Sequence, residues 1–292
     1  MVTKAVLPVA GWGTRFLPAT KAIPKEMIPV VDRPAIQYIV EECVEAGIDD
    51  VLLVTSTGKQ SLVDHFDRVV DLEVALEEKG KKEELEEVVR LGRLASVHAV
   101  RQGEQLGLGH AVLMGREHVG DASFAVILGD DIIDPESDFL SRMIAVHERS
   151  GRPVVAVMEV PEDQVHLYGI VATEPTDEDD VFRATNLVEK PAADEAPSNL
   201  AIIGRYVLPA EIFDVIEQTP PGRGGEIQLT DALEAMAQDE PIMAVRFDGV
   251  RHDTGDKLGF LKATVEMAAR REDLGPDFTA WLRTFVGEQL GE

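Results

Sequence analysis

The stretch KAVLPVAGWGTRFLPATKAIPKEMIPVVDRP, Lys4 to Pro34, sets the reading of the whole chain. It opens on a short apolar run, KAVLPVA, of the length and character of a buried strand. A loop follows with Gly11 and Gly13, then Arg15 and Lys25 among Pro18, Pro24 and Pro29. A glycine loop directly after a first strand lets successive backbone N–H groups approach an anion, because no Cβ stands in the way. A tight turn alone explains the glycines. It does not explain two cations in a proline-stiffened loop, where restricted backbone freedom holds them in place. Such a pair suits a polyphosphate whose leaving end must be neutralised.

Working outward, strand-like and helix-like segments alternate. PAIQYIVEECVEAG (Pro34 to Gly47) starts on proline, keeps apolar residues at helical spacing and closes on glycine. DDVLLVTS, ASVHAVRQ, SFAVILGDD (Ser123 to Asp131) and PVVAVMEV read as further strands. GLGHAVLMGREHV and ESDFLSRMIAVHERSG read as the helices between them. This order predicts an α/β fold, a Rossmann-like, mostly parallel mixed sheet flanked by helices. Ligands of such sheets bind beyond the carboxyl ends of the strands, so the residues just after each strand matter most. After about Val160 the rhythm changes to YGIVATE, VFRATNLVEKP and LAIIGRYVLP, then to three helix-like segments ending in DKLGFLKATVEMAARR. We read one domain over residues 1–292, with residues 1–160 facing a nucleotide and residues 161–292 adding the other substrate's contacts. EVALEEKGKKEELEE (Glu73 to Glu87) reads as a solvated helix pair.

Composition bounds the function. Hydrophobic residues make up 45% and charged residues 28% of 292, as in ordinary globular domains. The formal net charge of -26 argues against a nucleic-acid partner, which needs a basic face. It leaves room for an anionic small molecule held at a locally positive site or through a divalent cation. No apolar stretch is long enough to span a bilayer, so no membrane partner is expected. The start lacks signal-peptide anatomy, and a cytoplasmic location is the expectation. The single cysteine, Cys43, rules out an intramolecular disulfide framework and reads as a buried small residue.

Two phosphate-binding patterns fail. The dinucleotide pattern G-x-G-x-x-G meets Phe16 at its third position. The P-loop pattern fails in TGKQ, where Gln60 replaces the required Ser or Thr and Leu53 the first glycine. LGDD ends the fourth strand, where a carboxylate can hold Mg²⁺ that keeps its waters and bridges phosphates. A helix cap is the competing reading, and the sheet rule favours the metal. On extended backbone Asp130 and Asp131 point to opposite sides and do not share one ion equally.

GWGTRFLPATKAIPKEM resembles the G-x-G-T-R…P-K signature of sugar-nucleotide pyrophosphorylases. The longer segment through QYIVEE resembles the bacterial UTP–glucose-1-phosphate uridylyltransferases. The resemblance continues in order through QGEQLGLGHAV, LGDD, YGIV, VEKP, IGRYVLP, GGEIQLTDAL and HDTGDKLGFLKA, and so covers nearly the whole chain. It implies UTP and glucose 1-phosphate as substrates, Mg²⁺ as cofactor, residues 161–292 as a sugar-binding half, and a homodimer or homotetramer. It implies Asp130 and Asp253 as metal ligands, and Arg15, Lys25 and Lys190 as catalytic residues. Gln102 and the Gly107 backbone would read uracil, with Ala10, Gly11, Gly13, Thr14 and Glu26 on the other side of the nucleotide and Asp131 as a nearby polar contact. Glu189, Gly169 and Gly204 would meet the hexose. Without the resemblance, Asp253 reads as a turn residue, Gly107 as a helix start and Glu189–Lys190 as a solvated edge. Trp12 departs from the smaller residue expected between the loop glycines, and neither Arg205 nor His252 receives a role. The alternatives are a dTTP-dependent or other sugar-1-phosphate nucleotidyltransferase, or a catalytically weak regulatory paralogue.

Overall fold

The computed structural model describes residues 1–238 and 240–290. Its strands, in chain order, are β1 (Lys4–Pro8), β2 (Pro29–Val30), β3 (Arg33–Pro34), β4 (Asp50–Thr55), β5 (Ser96–Arg101), β6 (Phe124–Ile127) and β7 (Asp131–Ile133). They continue with β8 (Val154–Glu159), β9 (Gly169–Pro175), β10 (Val181–Glu189), β11 (Leu200–Leu208), β12 (Ile242–Arg246) and β13 (Arg251–Asp253). One large sheet has the order β5-β4-β1-β6-β11-β8-β12-β10-β9. In its first half β5, β4, β1 and β6 pair in parallel. Parallel strands need long crossovers, and the intervening helices supply them.

The expected mixed sheet flanked by helices is therefore present, with parallel pairing concentrated before Val160. In the second half β12 and β8 are parallel, while β11 runs antiparallel to β6 and β8, and β10 antiparallel to β12 and β9. The short β9–β10 connection permits only a hairpin. Bulges between Ala184 and Asn186 and between Ile203 and Tyr206 bend β10 and β11. β9 can thus pair along β10 and also touch β11 at Ile170 and Ala201, which curls this half back on itself.

Alternate residues of the parallel strands feed two separate cores. Leu7, Val51, Leu53 and Ile127 pack on one face with the helices Ala35–Glu45 and Phe139–Ser150. Val6, Leu52, Val54 and Val126 pack on the other, with Ile212–Gln218 and Leu229–Ala237. Burial on both faces is why these strands read as continuous apolar runs rather than alternating ones. The acidic run forms the helices Val70–Glu78 and Lys82–Leu91, as expected. Among the described residues, no helix is long and apolar enough to cross a membrane.

One expected strand breaks. The chain leaves the sheet after Ile127, turns through Leu128–Asp130, and restarts as β7, which pairs antiparallel with β13 in a separate ribbon. Gly129 makes the turn possible: a Cβ there would lie 2.6 Å from a Val9 methyl. Asp131 in β7 is registered opposite Asp253 in β13, so residues far apart in sequence arrive side by side.

Candidate active site

The carboxyl ends of β1, β4, β5 and β6 carry Ala10, Lys59, Gln102 and Asp130 in the segments that follow them. The loop after β1 folds into three short 3-10 turns, Thr14–Phe16, Ala19–Lys21 and Lys25–Met27. Gly13 sits at φ +63, and a Cβ there would lie 3.0 Å from the Lys25 Cβ. Glycine is therefore required twice over, by the left-handed backbone and by the close return of the chain. Thr20 Oγ1 donates to the Gly13 carbonyl at 2.8 Å and ties the loop to itself. Gly11, Trp12, Thr14 and Arg15 remain exposed at the mouth.

Lys25 and Asp130 form an ion pair from the loop to the end of β6. Burial works to lower the Lys25 ammonium, but the carboxylates of Asp130 and Glu26 outweigh it and leave its pKa raised. Arg15 Nη1 donates to the Gly255 carbonyl at 3.2 Å, and the Gly255 amide donates to Asp253 Oδ1 at 2.8 Å. The backbone N–H and hydroxyl of Thr254 both donate to the Asp130 carbonyl, at 2.8 and 2.9 Å. A Cβ on Gly255 would fall 2.5 Å from Asp130 Oδ2 and 2.9 Å from Asp253 Oδ1. The separation of those two oxygens cannot exceed the sum of these distances, so small side-chain rotations bring both onto one cation. Burial pushes the Asp253 carboxyl up, and the nearby Asp130 charge adds to that. Two crowded carboxylates, one of them faced by an ammonium, form the kind of donor set that Mg²⁺ takes alongside waters and phosphates.

Asp131 corrects one expectation. It is 3% exposed, and its carboxylate is matched within the protein. Its oxygens accept from Arg251 Nε at 2.8 and 3.0 Å and from the Gly204 amide at 3.1 Å. Burial alone would raise its carboxyl, but the guanidiniums of Arg251 and Arg205 hold it below the usual range. Gly204 is likewise a packing glycine: its missing Cβ leaves room for Asp131 Oδ2 and the Leu128 side chain, both at 2.9 Å. Arg205, fully buried, donates to Glu42 at 3.1 and 2.6 Å and lies 3.6 Å from Asp131. His252, in β13, is buried with its Nε2 3.9 Å from Glu266.

Beyond the carboxyl end of β5, Gln102 is buried and donates to the Gly107 carbonyl at 3.2 Å. Gln105 donates to the Ala10 carbonyl at 2.6 Å. Gly107 sits at φ +108, and a Cβ there would strike Ile227 O at 2.7 Å, so its close neighbour is the chain's own backbone. Glu26 is 1% exposed and paired with Lys59 at 2.8 Å. Burial raises Glu26 and lowers Lys59, each toward its neutral form. Glu26 thus supports the loop from beneath.

On the remaining side, Glu189 Oε2 accepts from Thr230 Oγ1 at 2.6 Å, and its Oε1 lies 3.1 Å from Lys190 Nζ. Gly169 pairs with Glu189, and a Cβ on it would lie 2.8 Å from Thr230 Oγ1. Lys190 has a φ of 46 and donates its amide to the Tyr168 carbonyl at 2.9 Å. The Tyr168 ring stacks under the Arg251 guanidinium at 5.4 Å, which links this cluster to Asp131.

Sequence reasoning passed over Lys59, Thr230 and Arg251. The run QLTDAL in the helix-start segment was the available signal for Thr230. Lys59 and Arg251 had none, because their partners Glu26 and Asp131 lie 33 and 120 residues away.

Residues 4–270 match the nucleotidyl transferase family. Over 270 residues the chain is 50% identical to a UTP–glucose-1-phosphate uridylyltransferase of Staphylococcus haemolyticus, covering 92% of this chain and 93% of that one. A UTP-bound UGPase from Acinetobacter baumannii superposes with a TM-score of 0.89 at 44% identity, over 97% of this chain and 99% of that one. A UDP-glucose pyrophosphorylase complexed with UDP-glucose superposes with a TM-score of 0.83 at 40% identity, over 93% of this chain and all (100%) of that one.

Proposed function

This chain belongs to the nucleotidyl transferase family, and we propose that it is a UTP–glucose-1-phosphate uridylyltransferase, converting UTP and α-D-glucose 1-phosphate into UDP-glucose and pyrophosphate. A phosphate oxygen of the sugar phosphate attacks the α-phosphorus of UTP. The bond from that phosphorus to the bridging oxygen breaks in line, and pyrophosphate departs with the electron pair. The attacking oxygen is already anionic, so no protein nucleophile or strong base is required. The barrier lies in bringing two anions together, and positioning with charge neutralisation lowers it.

The observation that carries this reading is the convergence of Arg15, Asp130 and Asp253 on Gly255, with Lys25 paired to Asp130. Asp130 and Asp253 would hold Mg²⁺, which when bound supplies positive charge to the phosphate oxygens. Arg15 and Lys25 stabilise the α-phosphate and the leaving pyrophosphate. Lys190 meets the sugar phosphate as a point charge, and Glu189 accepts from sugar hydroxyls beside Gly169. Gly11, Gly13 and Thr14 line the phosphate path. Ala10, Gln102 and the Gly107 backbone face uracil. Residues 1–160 thus serve the nucleotide and residues 161–292 the sugar.

We place the protein in the cytoplasm, where both substrates are metabolites, and take it to be a homodimer or homotetramer. Exposed Leu258, Leu261, Trp281 and Phe285 on its outer helices support self-association. Sedimentation of the pure protein as a monomer would remove that part. The reaction is tested by pyrophosphate release from UTP and glucose 1-phosphate with Mg²⁺, with dTTP in competition. UTP-dependent release is expected. No release, or a preference for dTTP, overturns the assignment.

A further inference from the structure

The amino-terminal edge of the sheet holds a cluster that this reaction does not use. Asp50 opens β4, and Leu52, two residues on, is registered opposite His98 in β5. Residues two apart on a strand share a face, so Asp50 and His98 project from the same side. His118 arrives from the turn Arg116–Val119, whose position is fixed by Lys4 Nζ donating to the His118 carbonyl at 2.6 Å. His118 Nε2 lies 2.7 Å from Asp50 Oδ1, and His98 Nε2 lies 3.7 Å from the same oxygen. The two imidazoles are 5.0 Å apart between centroids. One nitrogen or oxygen from each of the three residues lies within 4.8 Å of the others.

A hydrogen bond from His118 satisfies Asp50 and has no use for the second imidazole. The geometry of a metal site uses all three. Zinc with bonds of about 2.0–2.1 Å sets neighbouring tetrahedral ligands about 3.3 Å apart. The 2.7 and 3.7 Å separations bracket that value. Side-chain exposures of 27%, 53% and 24% for Asp50, His98 and His118 let the rotamers adjust and leave a fourth position open to water. Two imidazoles with one carboxylate select zinc and its transition-metal neighbours over Mg²⁺, which favours oxygen.

We propose that Asp50, His98 and His118 bind one divalent transition-metal ion of the Zn²⁺ class at the sheet edge opposite the reaction site. The six residues of β4 separate the two places by about 17 Å. The ion joins the start of β4 to β5 and to the turn before β6, and its role is to staple that edge rather than to take part in uridylyl transfer.

The full-length protein is dialysed against Zn²⁺ in the presence of excess Mg²⁺, and bound zinc is counted. One equivalent per chain is expected, retained in Asp130→Asn and lost in His98→Ala and His98→Gln. His98 is half exposed, so these variants keep the fold. Zinc at a hundredfold excess over its Kd raises the melting temperature of the wild type by roughly 5 °C, and leaves that of His98→Ala unchanged. A wild type that binds no zinc, an equivalent that survives in His98→Ala, or one that disappears in Asp130→Asn each overturns the proposal.

Discussion

Gly255→Ala is the sharpest test of the reaction site, because one methyl group would enter the space between the two proposed metal ligands. It would lie 2.5 Å from Asp130 Oδ2, whereas ordinary contacts begin near 3.4 Å, so that oxygen must retreat by about 0.9 Å. Asp253 Oδ1, at 2.9 Å, must move by about half an ångström. Both atoms are the ends of side chains, and the overpacking should cost the fold only about 1 kcal/mol. The catalytic cost is larger. Misplacing a reacting or charge-stabilising group by an ångström lowers rates about 10²-fold, or about 2.7 kcal/mol of barrier. The variant should therefore unfold in urea close to the wild type, yet show turnover reduced about a hundredfold and a higher Mg²⁺ concentration for half-maximal rate. Steady-state pyrophosphate release across a Mg²⁺ series reads both quantities. A Gly255→Ala protein with turnover within twofold of wild type and an unchanged Mg²⁺ requirement would show that the space between these carboxylates is not where the phosphates are joined.

Lys25→Met removes the ammonium that faces Asp130 and should lower turnover by about 10²–10³-fold with the fold intact by circular dichroism; activity within tenfold of wild type would argue that Lys25 only anchors the loop. Lys190→Ala should lower turnover by a similar factor, while Glu189→Gln should mainly raise KM for glucose 1-phosphate, by about tenfold or more, since it alters hydrogen bonds to the sugar. Equal effects on UTP and sugar-phosphate KM would place Glu189 elsewhere. Asp131→Asn leaves the buried Arg251 without its carboxylate and Arg205 with Glu42 alone, and should destabilise by about 3–5 kcal/mol at pH 7. The folded Asp131 carboxyl lies below its unfolded value, so its contribution is full above the ordinary carboxylate range and fades as pH falls through the depressed value. The gap between the urea midpoints of wild type and Asp131→Asn should hold steady from pH 7 to about pH 5 and narrow as pH falls further; a gap that stays constant down to pH 3 would contradict the ion-pair account.

The parallel strands were legible because burial on both faces leaves uninterrupted apolar runs, as in Val51 to Val54. The break after Ile127 was not. Its cause is Gly129 packing against Val9, a contact across the fold that no local pattern announces. In the first loop Gly13 meets a backbone need, at φ +63 against Lys25, whereas Gly107 and Gly204 are glycines because Ile227 and Asp131 press against them. Lys59 failed a motif test and was set aside, although its partner is the neighbouring loop's Glu26. The helix Gly275–Phe285 could have been seen, since Phe278, Trp281 and Phe285 recur at helical spacing behind Pro276.

The adjacent aspartates of LGDD show how one dipeptide supplies two different kinds of charge. The turn that ends β6 and the start of β7 send the two side chains to different environments. Asp131 receives guanidiniums from β11 and β13, together with the Gly204 amide, and its charge is already matched within the protein. Among the described residues, Asp130 has as its charged partner only the ammonium of Lys25, carried on the loop after β1. A carboxylate matched internally cannot also draw a cation from solution, because its desolvation has been offset by fixed partners. A carboxylate faced by one lysine on the loop after β1 can exchange that partner. Polyphosphate oxygens would offer Lys25 alternative acceptors, which would leave Asp130 for the divalent ion proposed above. The buried network of Glu42, Arg205, Asp131 and Arg251 therefore holds β7 and β13 in register, and that register sets Asp253 beside Asp130.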